Sequence, residues 1–237
     1  MIPDILYYSL LASLMTVLGS LLAYLFTMNK RIISFFFGLS SGMMLYLSYF
    51  SLLPTAVQFG GIRSVLIGIL SSIIMMWLIH QLPIEQELRR CDSTSLDRVR
   101  FFFILAVIAH HIPEGIAVGA GFEAEHHMGL LLVLAFAIHN VPEGMALAFP
   151  LISAGRSPIY VLGLSLCCGL TLPLGTLLGI TLLNQSFSGI SIGLTFAAAT
   201  MIWIIIDEIL PKAYQFHRVL SMVGLFAGGI LIYMIHA

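Results

Sequence analysis

Two near-copies of one short motif in this chain combine metal-binding side chains with a helix-distorting proline. The first copy reads HHIPEG at residues 110–115, and the second reads HNVPEG at residues 139–144. Imidazole nitrogens and carboxylate oxygens are ligands that zinc and iron accept. Ionisable groups inside apolar, membrane-length segments are costly and usually line a pathway or pair with one another. The repeat therefore predicts two helices that converge on one divalent-metal site.

Helical spacing places the polar side chains of each copy on one helix face. Residues three and four apart on a helix are neighbours, and the first two residues of each motif stand four and three positions before its glutamate. Each helix therefore presents an imidazole, a second donor and a carboxylate, and either carboxylate could bridge two ions. The predicted ligands are His110, His111, Glu114, His139, Asn140 and Glu143.

The proline and glycine of each copy favour a cavity at the same level. A proline lacks the N–H that would bond the carbonyl four residues back, so Ala109 and Ile138 keep freed carbonyl oxygens. In hydrocarbon such irregular backbone is tolerated where it lines a cavity. Gly115 and Gly144 permit close helix approach. The pattern is typical of kinked helices around a transport site.

Two other interpretations of the motifs stay open from the residues alone. Each His–Glu pair could be a hydrogen bond that satisfies polar groups at a proline kink. The chain could also be a membrane metallohydrolase, but the usual zinc-hydrolase helix reads HExxH with a carboxylate as base. The order here is H-x-x-x-E, twice. Repetition favours the metal site over the isolated hydrogen bond, and the order of residues disfavours the hydrolase.

The elements that position these motifs are predicted to be membrane helices. Of 237 residues, 59% are hydrophobic and only 9% are charged, whereas a soluble domain carries about 25% charged residues. A spanning helix needs about 20 mostly apolar residues, and eight segments qualify. They cover about residues 5–28, 32–57, 62–83, 100–120, 128–150, 157–183, 188–211 and 217–236, with a polar linker at 84–99.

The basic residues predict the orientation of these spans. Nine of the ten Lys and Arg residues fall in odd-numbered loops, and only Arg63 falls in an even-numbered one. Because cytoplasmic loops carry the excess of Lys and Arg, the odd loops and the 84–99 linker are expected to face the cytoplasm. Both termini are then outside. The sequence thus predicts one all-α, polytopic transmembrane domain over residues 1–237, in the plasma membrane and specifically a bacterial inner membrane.

Two further polar clusters are candidates for the ends of a metal path. The predicted outer loop between the fourth and fifth spans could capture metal, or it could simply be a solvated loop. Its candidate ligands are Glu123, Glu125, His126 and His127. Asp207 and Glu208 lie near the cytoplasmic end of the seventh span. They could form an exit-side metal stop, or an ion pair with Lys212.

With these motifs the chain resembles the ZIP (Zrt/Irt-like) family of divalent-metal transporters over essentially its whole length. HHIPEGIAVG and HNVPEGMALA resemble the family's fourth- and fifth-helix signatures. GLSSGMMLYLSYFSLLP at residues 38–54 is similar to the second helix, particularly in the short bacterial branch. Residues 168–175 and 196–211 resemble the sixth and seventh helices. The resemblance implies an eight-helix bundle with inverted repeats, whose fourth and fifth helices line the metal path.

The resemblance also implies roles for particular residues. Five residues match the family's principal transport site, and Met44 on the second helix would be its soft ligand. They are His110, Glu114, His139, Glu143 and Met44. A neighbouring second site, which shares both carboxylates, matches His111 and Asn140. An acidic pair toward the cytoplasmic exit matches Asp207 and Glu208.

Three positions depart from the family pattern. His111 stands where the fourth-helix motif usually has Asn, and an imidazole binds metal far better than an amide. Leu172 stands where relatives commonly carry Glu before the sixth-helix proline, and Ser51 stands where some carry Glu. Removing two anions favours a site that holds one ion. The sequence therefore predicts one well-formed metal site and a modified neighbour.

The predicted function is transport of a divalent transition metal from outside to the cytoplasm. Zinc is the first expectation, and Fe²⁺, Mn²⁺ and Cd²⁺ also suit mixed nitrogen and oxygen ligands. We expect a non-enzyme without a cofactor, whose partners are the metal ion and the lipid bilayer but no nucleic acid, and which could form a homodimer. The competing class is a metal sensor or structural membrane protein without flux, which the residues alone do not separate from a transporter.

Overall fold

The computed structural model describes residues 2–26, 29–81, 111–153, 155–183 and 186–236, and every regular element among them is helical. The helices are α1 (Ile2–Leu25), α2 (Lys30–Tyr46), α3 (Leu53–Gln81), α4 (residues 111–124), α5 (His126–Ser153), α6 (Pro158–Gly169), α7 (Thr171–Leu183), α8 (Phe187–Ile204) and α9 (Leu210–His236). π-helical turns join α2 to α3 (Leu47–Leu52) and α8 to α9 (Ile205–Ile209). The all-α prediction is confirmed for these residues. The 84–99 linker and His110 lie outside them.

The helices have the length and composition of membrane spans. Five continuous helical stretches are long and apolar enough to cross a bilayer, and two of these run for 50 residues (Lys30–Ile79) and 49 residues (Phe187–Ile235). A straight helix of that length would measure about 75 Å, against a hydrocarbon core of about 30 Å. Each long stretch must therefore bend to stay within one membrane, and both do.

The first bend lies at Gly61, inside α3. Its φ of 65° and ψ of −177° place it in a region that residues with a Cβ rarely adopt. No atom lies within 4 Å of the position a Cβ would take, so the backbone dihedral, and not packing, is what requires glycine here. The helix is kinked at this residue and continues on either side.

The second bend lies at His217, inside α9, where φ is −166° and ψ is 100°. The imidazole Nδ1 of His217 accepts a hydrogen bond from the Leu220 backbone N–H at 3.2 Å, and thereby caps the helix that follows. Ser34 Oγ lies 2.8 Å from the Ala213 carbonyl and 2.7 Å from the His217 carbonyl, and its hydroxyl can donate to either. These contacts satisfy backbone groups that the break would otherwise leave unpaired.

Glycines allow the helices to pack backbone to backbone, and the close contacts sort the helices into two groups. Gly144 of α5 lies against the Thr16 carbonyl of α1, and Gly115 of α4 lies against the Leu172 carbonyl of α7. A Cβ at any of these positions would collide with the facing carbonyl. Because α6 and α7 also pack on α1, we call α1, α4, α5, α6 and α7 the first helix group.

The second helix group consists of α2, α3, α8 and α9. Gly38 of α2 lies against the Ser221 carbonyl of α9, and Gly68 of α3 lies against Thr195 of α8. The two groups meet mainly where α2 packs on α5. Small residues are the usual means of close helix approach in membranes, and here they fix which helix faces which.

Candidate metal site

Residues 111–115 of the first motif lie on α4, and the whole second motif lies on α5. His111 is the first described residue of α4, and α5 continues through Pro142 to Ser153. His111, Glu114 and His139 are fully buried, whereas the Glu143 side chain remains 14% exposed. Asn140 and Met44 are also fully buried, so Glu143 is the one described member of the predicted set that solvent reaches.

The imidazole of each motif helix faces the carboxylate of the other motif helix. His111 Nε2 lies 3.1 Å from Glu143 Oε2, and His139 Nε2 lies 3.2 Å from Glu114 Oε1. His139 Nε2 also lies 3.7 Å from Glu143 Oε2. Each imidazole of one helix therefore meets the carboxylate of the other, which is the convergence that the repeated motif predicted.

These distances suit a single tetrahedral ion. Two ligand atoms that each lie about 2.0 Å from a tetrahedral zinc are about 3.3 Å from one another, close to the 3.1, 3.2 and 3.7 Å found here. His111, Glu114 and Glu143 each offer a ligand atom within 4.8 Å of the others. The same separations bring each imidazole nitrogen close to a carboxylate oxygen without a metal ion.

Two contacts from neighbouring helices hold the α5 residues in place. Ser40 Oγ of α2 lies 2.8 Å from His139 Nδ1. The Asn140 side-chain amide donates to the Ala12 carbonyl of α1 at 2.9 Å, and its Oδ1 accepts no hydrogen bond from the described residues. Asn140 is therefore anchored through its nitrogen, and only its oxygen stays available as a ligand. The sequence analysis did not identify Ser40, because Ser40 and Ser41 stand four and three residues before Met44 and helical spacing does not separate them.

Comparison with known proteins decides the family. A family model described as ZIP Zinc transporter matches residues 85–236, which is more than half of the chain. Proteins named Zinc transporter ZupT are similar over almost their whole length. The one from Chlorobium luteolum is 32% identical, with 93% of this chain and 92% of the relative covered. The chain belongs to the ZIP family.

Other ZupT relatives agree. The protein from Chlorobium phaeovibrioides is 34% identical over 93% of this chain and 92% of its own length. The protein from Streptococcus mutans is 31% identical over 92% and 90% respectively. The family consists of membrane transporters and not of enzymes, which confirms the predicted class and the multi-pass membrane location.

Two further positions named in the sequence analysis are fully buried in this ZIP chain. Met44 is fully buried on α2 within the apolar core, one helical turn from Ser40. Leu172 is fully buried on α7, and its carbonyl lies against Gly115, the residue that follows Glu114. The backbone of Leu172 is thus adjacent to the motif on α4.

The exit candidates lie on the second π-helical turn of the ZIP fold. Asp207 is exposed, and Glu208 Oε2 lies 3.5 Å from Lys212 Nζ, with both side chains partly exposed. The ion pair named as the alternative is therefore present. The role of this pair as a metal stop stays a prediction.

The predicted entrance residues lie at the junction of α4 and α5. Glu125, His126 and His127 are exposed, and Glu123 is half-buried. The His126 ring packs edge-on against Phe122, with 5.3 Å between ring centroids. Among the described residues, His111, Glu114 and Glu143 form the one cluster of three metal-binding side chains. Metal capture at the junction stays a prediction.

Proposed function

We propose that this ZIP protein carries a divalent transition metal, zinc first among them, across the membrane into the cytoplasm. The observation that carries the proposal is the buried cluster in which each imidazole meets the carboxylate of the other motif helix, at separations of 3.1 and 3.2 Å. Buried polar clusters of this kind in a membrane bundle mark ion pathways. The matched relatives are named as zinc transporters, which supports zinc as the metal.

The proposed topology has eight spans with both termini outside. The bends at Gly61 and His217 divide the two long helical stretches, which supports counting each as two spans. The predicted fourth span includes residues outside the described ranges and stays a prediction. Placing the odd-numbered loops in the cytoplasm rests on the distribution of Lys and Arg.

An inverted repeat is supported by the second helix group. Each half of that group is a helix, a π-helical turn and a bent helix: α2 with α3, and α8 with α9. The first helix of each half packs on the second helix of the other, α2 on α9 and α8 on α3. A two-fold exchange of the halves reproduces this arrangement, as repeats in transporters do.

The proposed site holds one metal ion. Its proposed ligands are His111, Glu114 and Glu143, whose donor atoms lie within 4.8 Å of one another, and His139, whose Nε2 lies 3.2 Å from Glu114 Oε1. His110, Met44 and the oxygen of Asn140 are the further candidates, and Leu172 supplies no second anion. Metal is proposed to arrive past Glu123, Glu125, His126 and His127, and to leave past Asp207 and Glu208.

Zinc flux into reconstituted vesicles tests the proposal. We expect the parent protein to carry zinc down its concentration gradient, and Glu143→Ala to reduce flux to the level of protein-free vesicles. Thermal unfolding of both proteins in detergent is the control for folding. Flux of the folded Glu143→Ala protein at the parental rate would refute the central site. A parent protein that binds zinc tightly but carries none would instead support the sensor class.

A further inference from the structure

Ser40 connects the metal site to a helix that contributes no imidazole or carboxylate to the cluster. Ser40 is 3% exposed, and its Oγ lies 2.8 Å from Nδ1 of the fully buried His139. His139 uses its other ring nitrogen, Nε2, toward Glu114 and Glu143. The two nitrogens of one ring thus face opposite sides, one toward the carboxylates and one toward Ser40.

This arrangement matches what a metal-binding histidine needs. A neutral imidazole that gives one nitrogen to a metal carries its proton on the other nitrogen, and that N–H needs an acceptor. Such an acceptor fixes the ring orientation and makes the ligand more basic. A serine hydroxyl can accept or donate, so the contact persists whichever nitrogen carries the proton.

The contact also crosses between the two helix groups. Ser40 lies on α2 of the second group, and His139 lies on α5 of the first. Other buried hydrogen bonds stay within one group: Ser20 to the Gly144 carbonyl, Asn140 to the Ala12 carbonyl, Ser191 to the Ala56 carbonyl, and Ser72 to Thr200. Ser40 therefore holds a residue of the first group from a helix of the second.

We propose that Ser40 is the positioning residue of the metal site, and that its hydroxyl sets the orientation of the His139 imidazole. The proposal rests on the proposed function, because it takes His139 as a ligand. Loss of the hydroxyl leaves Nδ1 without this partner and lets the ring turn away from the carboxylates. Metal affinity then falls although the ligand itself is unchanged.

The next residue supplies a matched control. Ser41 is also fully buried on α2, and its Oγ has no hydrogen-bond partner among the described residues. Ser40→Ala and Ser41→Ala remove the same atom from adjacent buried positions of one helix. An effect of hydroxyl loss on helix packing alone is expected in both variants, whereas an effect through His139 is expected only in the first.

The experiment measures zinc affinity of the purified protein in detergent, by competition with a chromophoric chelator. We expect Ser40→Ala to weaken zinc binding by about 10- to 100-fold, the usual cost of losing a partner behind a metal ligand. Ser41→Ala should stay within about twofold of the parent. In flux assays, Ser40→Ala should raise KM more than it lowers the maximal rate.

A second pair of variants serves if Ser40→Ala does not fold. Ser40→Thr and Ser40→Val have nearly the same shape, and only Thr keeps a hydroxyl. We expect Ser40→Thr to retain more of the parental zinc affinity than Ser40→Val, by at least about tenfold. Equal affinity in this pair, or in the Ala pair, overturns the role of Ser40.

The outcomes separate this proposal from the proposed function. A parent protein that neither binds nor carries zinc refutes the function itself. A parent that binds zinc together with a Ser40→Ala variant of unchanged affinity refutes the role of Ser40 alone. A lowered melting temperature with unchanged affinity assigns Ser40 to helix packing, and this also overturns the proposal.

Discussion

The two motif copies have almost the same sequence but different surroundings. The copy on α4 packs against α7 through its glycine, and its His111 faces the carboxylate of the partner helix. The copy on α5 is held from two sides, because Ser40 contacts His139 and Ala12 accepts from Asn140. The difference shows that the second residues of the two motifs, His111 and Asn140, make different kinds of contact. His111 supplies an imidazole to the cluster, whereas Asn140 ties α5 to α1.

The two carboxylates provide the strongest test of this comparison. We expect Glu114→Gln and Glu143→Gln each to weaken zinc binding by more than about 100-fold, which exceeds the effect of losing a partner behind a ligand. The Glu114→Gln change should weaken zinc binding more, because Glu114 is fully buried. Glu143 keeps 14% of its side chain exposed, so water can take the place of its carboxylate on the metal. Calorimetric titration of the purified variants measures both. Parental affinity in either variant would remove that carboxylate from the site.

Exchanging the second residues comes next in expected size. His111→Asn makes the first copy match the second, and we expect zinc affinity to fall by about 10- to 100-fold because an amide replaces an imidazole.

Asn140→Ala should mainly destabilise the bundle, by about 0.6 kcal/mol and at most about 1.7 kcal/mol for one hydrogen bond in a membrane protein. Chelator competition and thermal unfolding separate the two effects. A larger loss of affinity in Asn140→Ala would make its oxygen a ligand.

The pH dependence of zinc affinity tests the two histidines of the cluster. An imidazole must be neutral to coordinate metal, so protons compete with zinc as the pH falls. We expect zinc affinity to drop by about tenfold or more between pH 7 and pH 5, since an ordinary imidazole has a pKa of about 6.5. The drop should be smaller in His111→Asn, which has one imidazole fewer. An affinity that does not change over this range would exclude histidine ligands.

The smallest expected effect on the first ion comes from Leu172→Glu. This change adds a carboxylate to the α7 residue whose backbone carbonyl lies against Gly115. We expect the zinc stoichiometry to rise from one to two per chain, and the affinity for the first ion to change by only a few-fold. Elemental analysis of the metal-loaded protein measures the ratio, with Leu172→Gln as the uncharged control. Two ions bound to the parent protein would contradict the single-metal site.

Much of the protein could be predicted because membrane solvation imposes simple rules. Apolar segments of sufficient length predicted the helices, and the polar motifs inside them predicted which helices carry the cluster. The bend at Gly61 falls between the predicted spans at 32–57 and 62–83. Ser40 could not be predicted, because a serine in a membrane helix usually bonds its own backbone, as Ser9 and Ser13 do here. Nothing local distinguishes Ser40 from Ser41.

The sequence by itself determined the class of the protein, the helical fold and the two motifs that carry the candidate metal-binding side chains. Composition and helical period act within one segment, so they can be read without knowledge of the neighbouring segments. Only the tertiary structure decided that each imidazole meets the carboxylate of the other helix, that Asn140 is tied to Ala12, and that Ser40 lies behind His139. These contacts join residues about 100 or more positions apart, or depend on which face of one helix meets another. The packing of glycines against facing carbonyls fixes that choice.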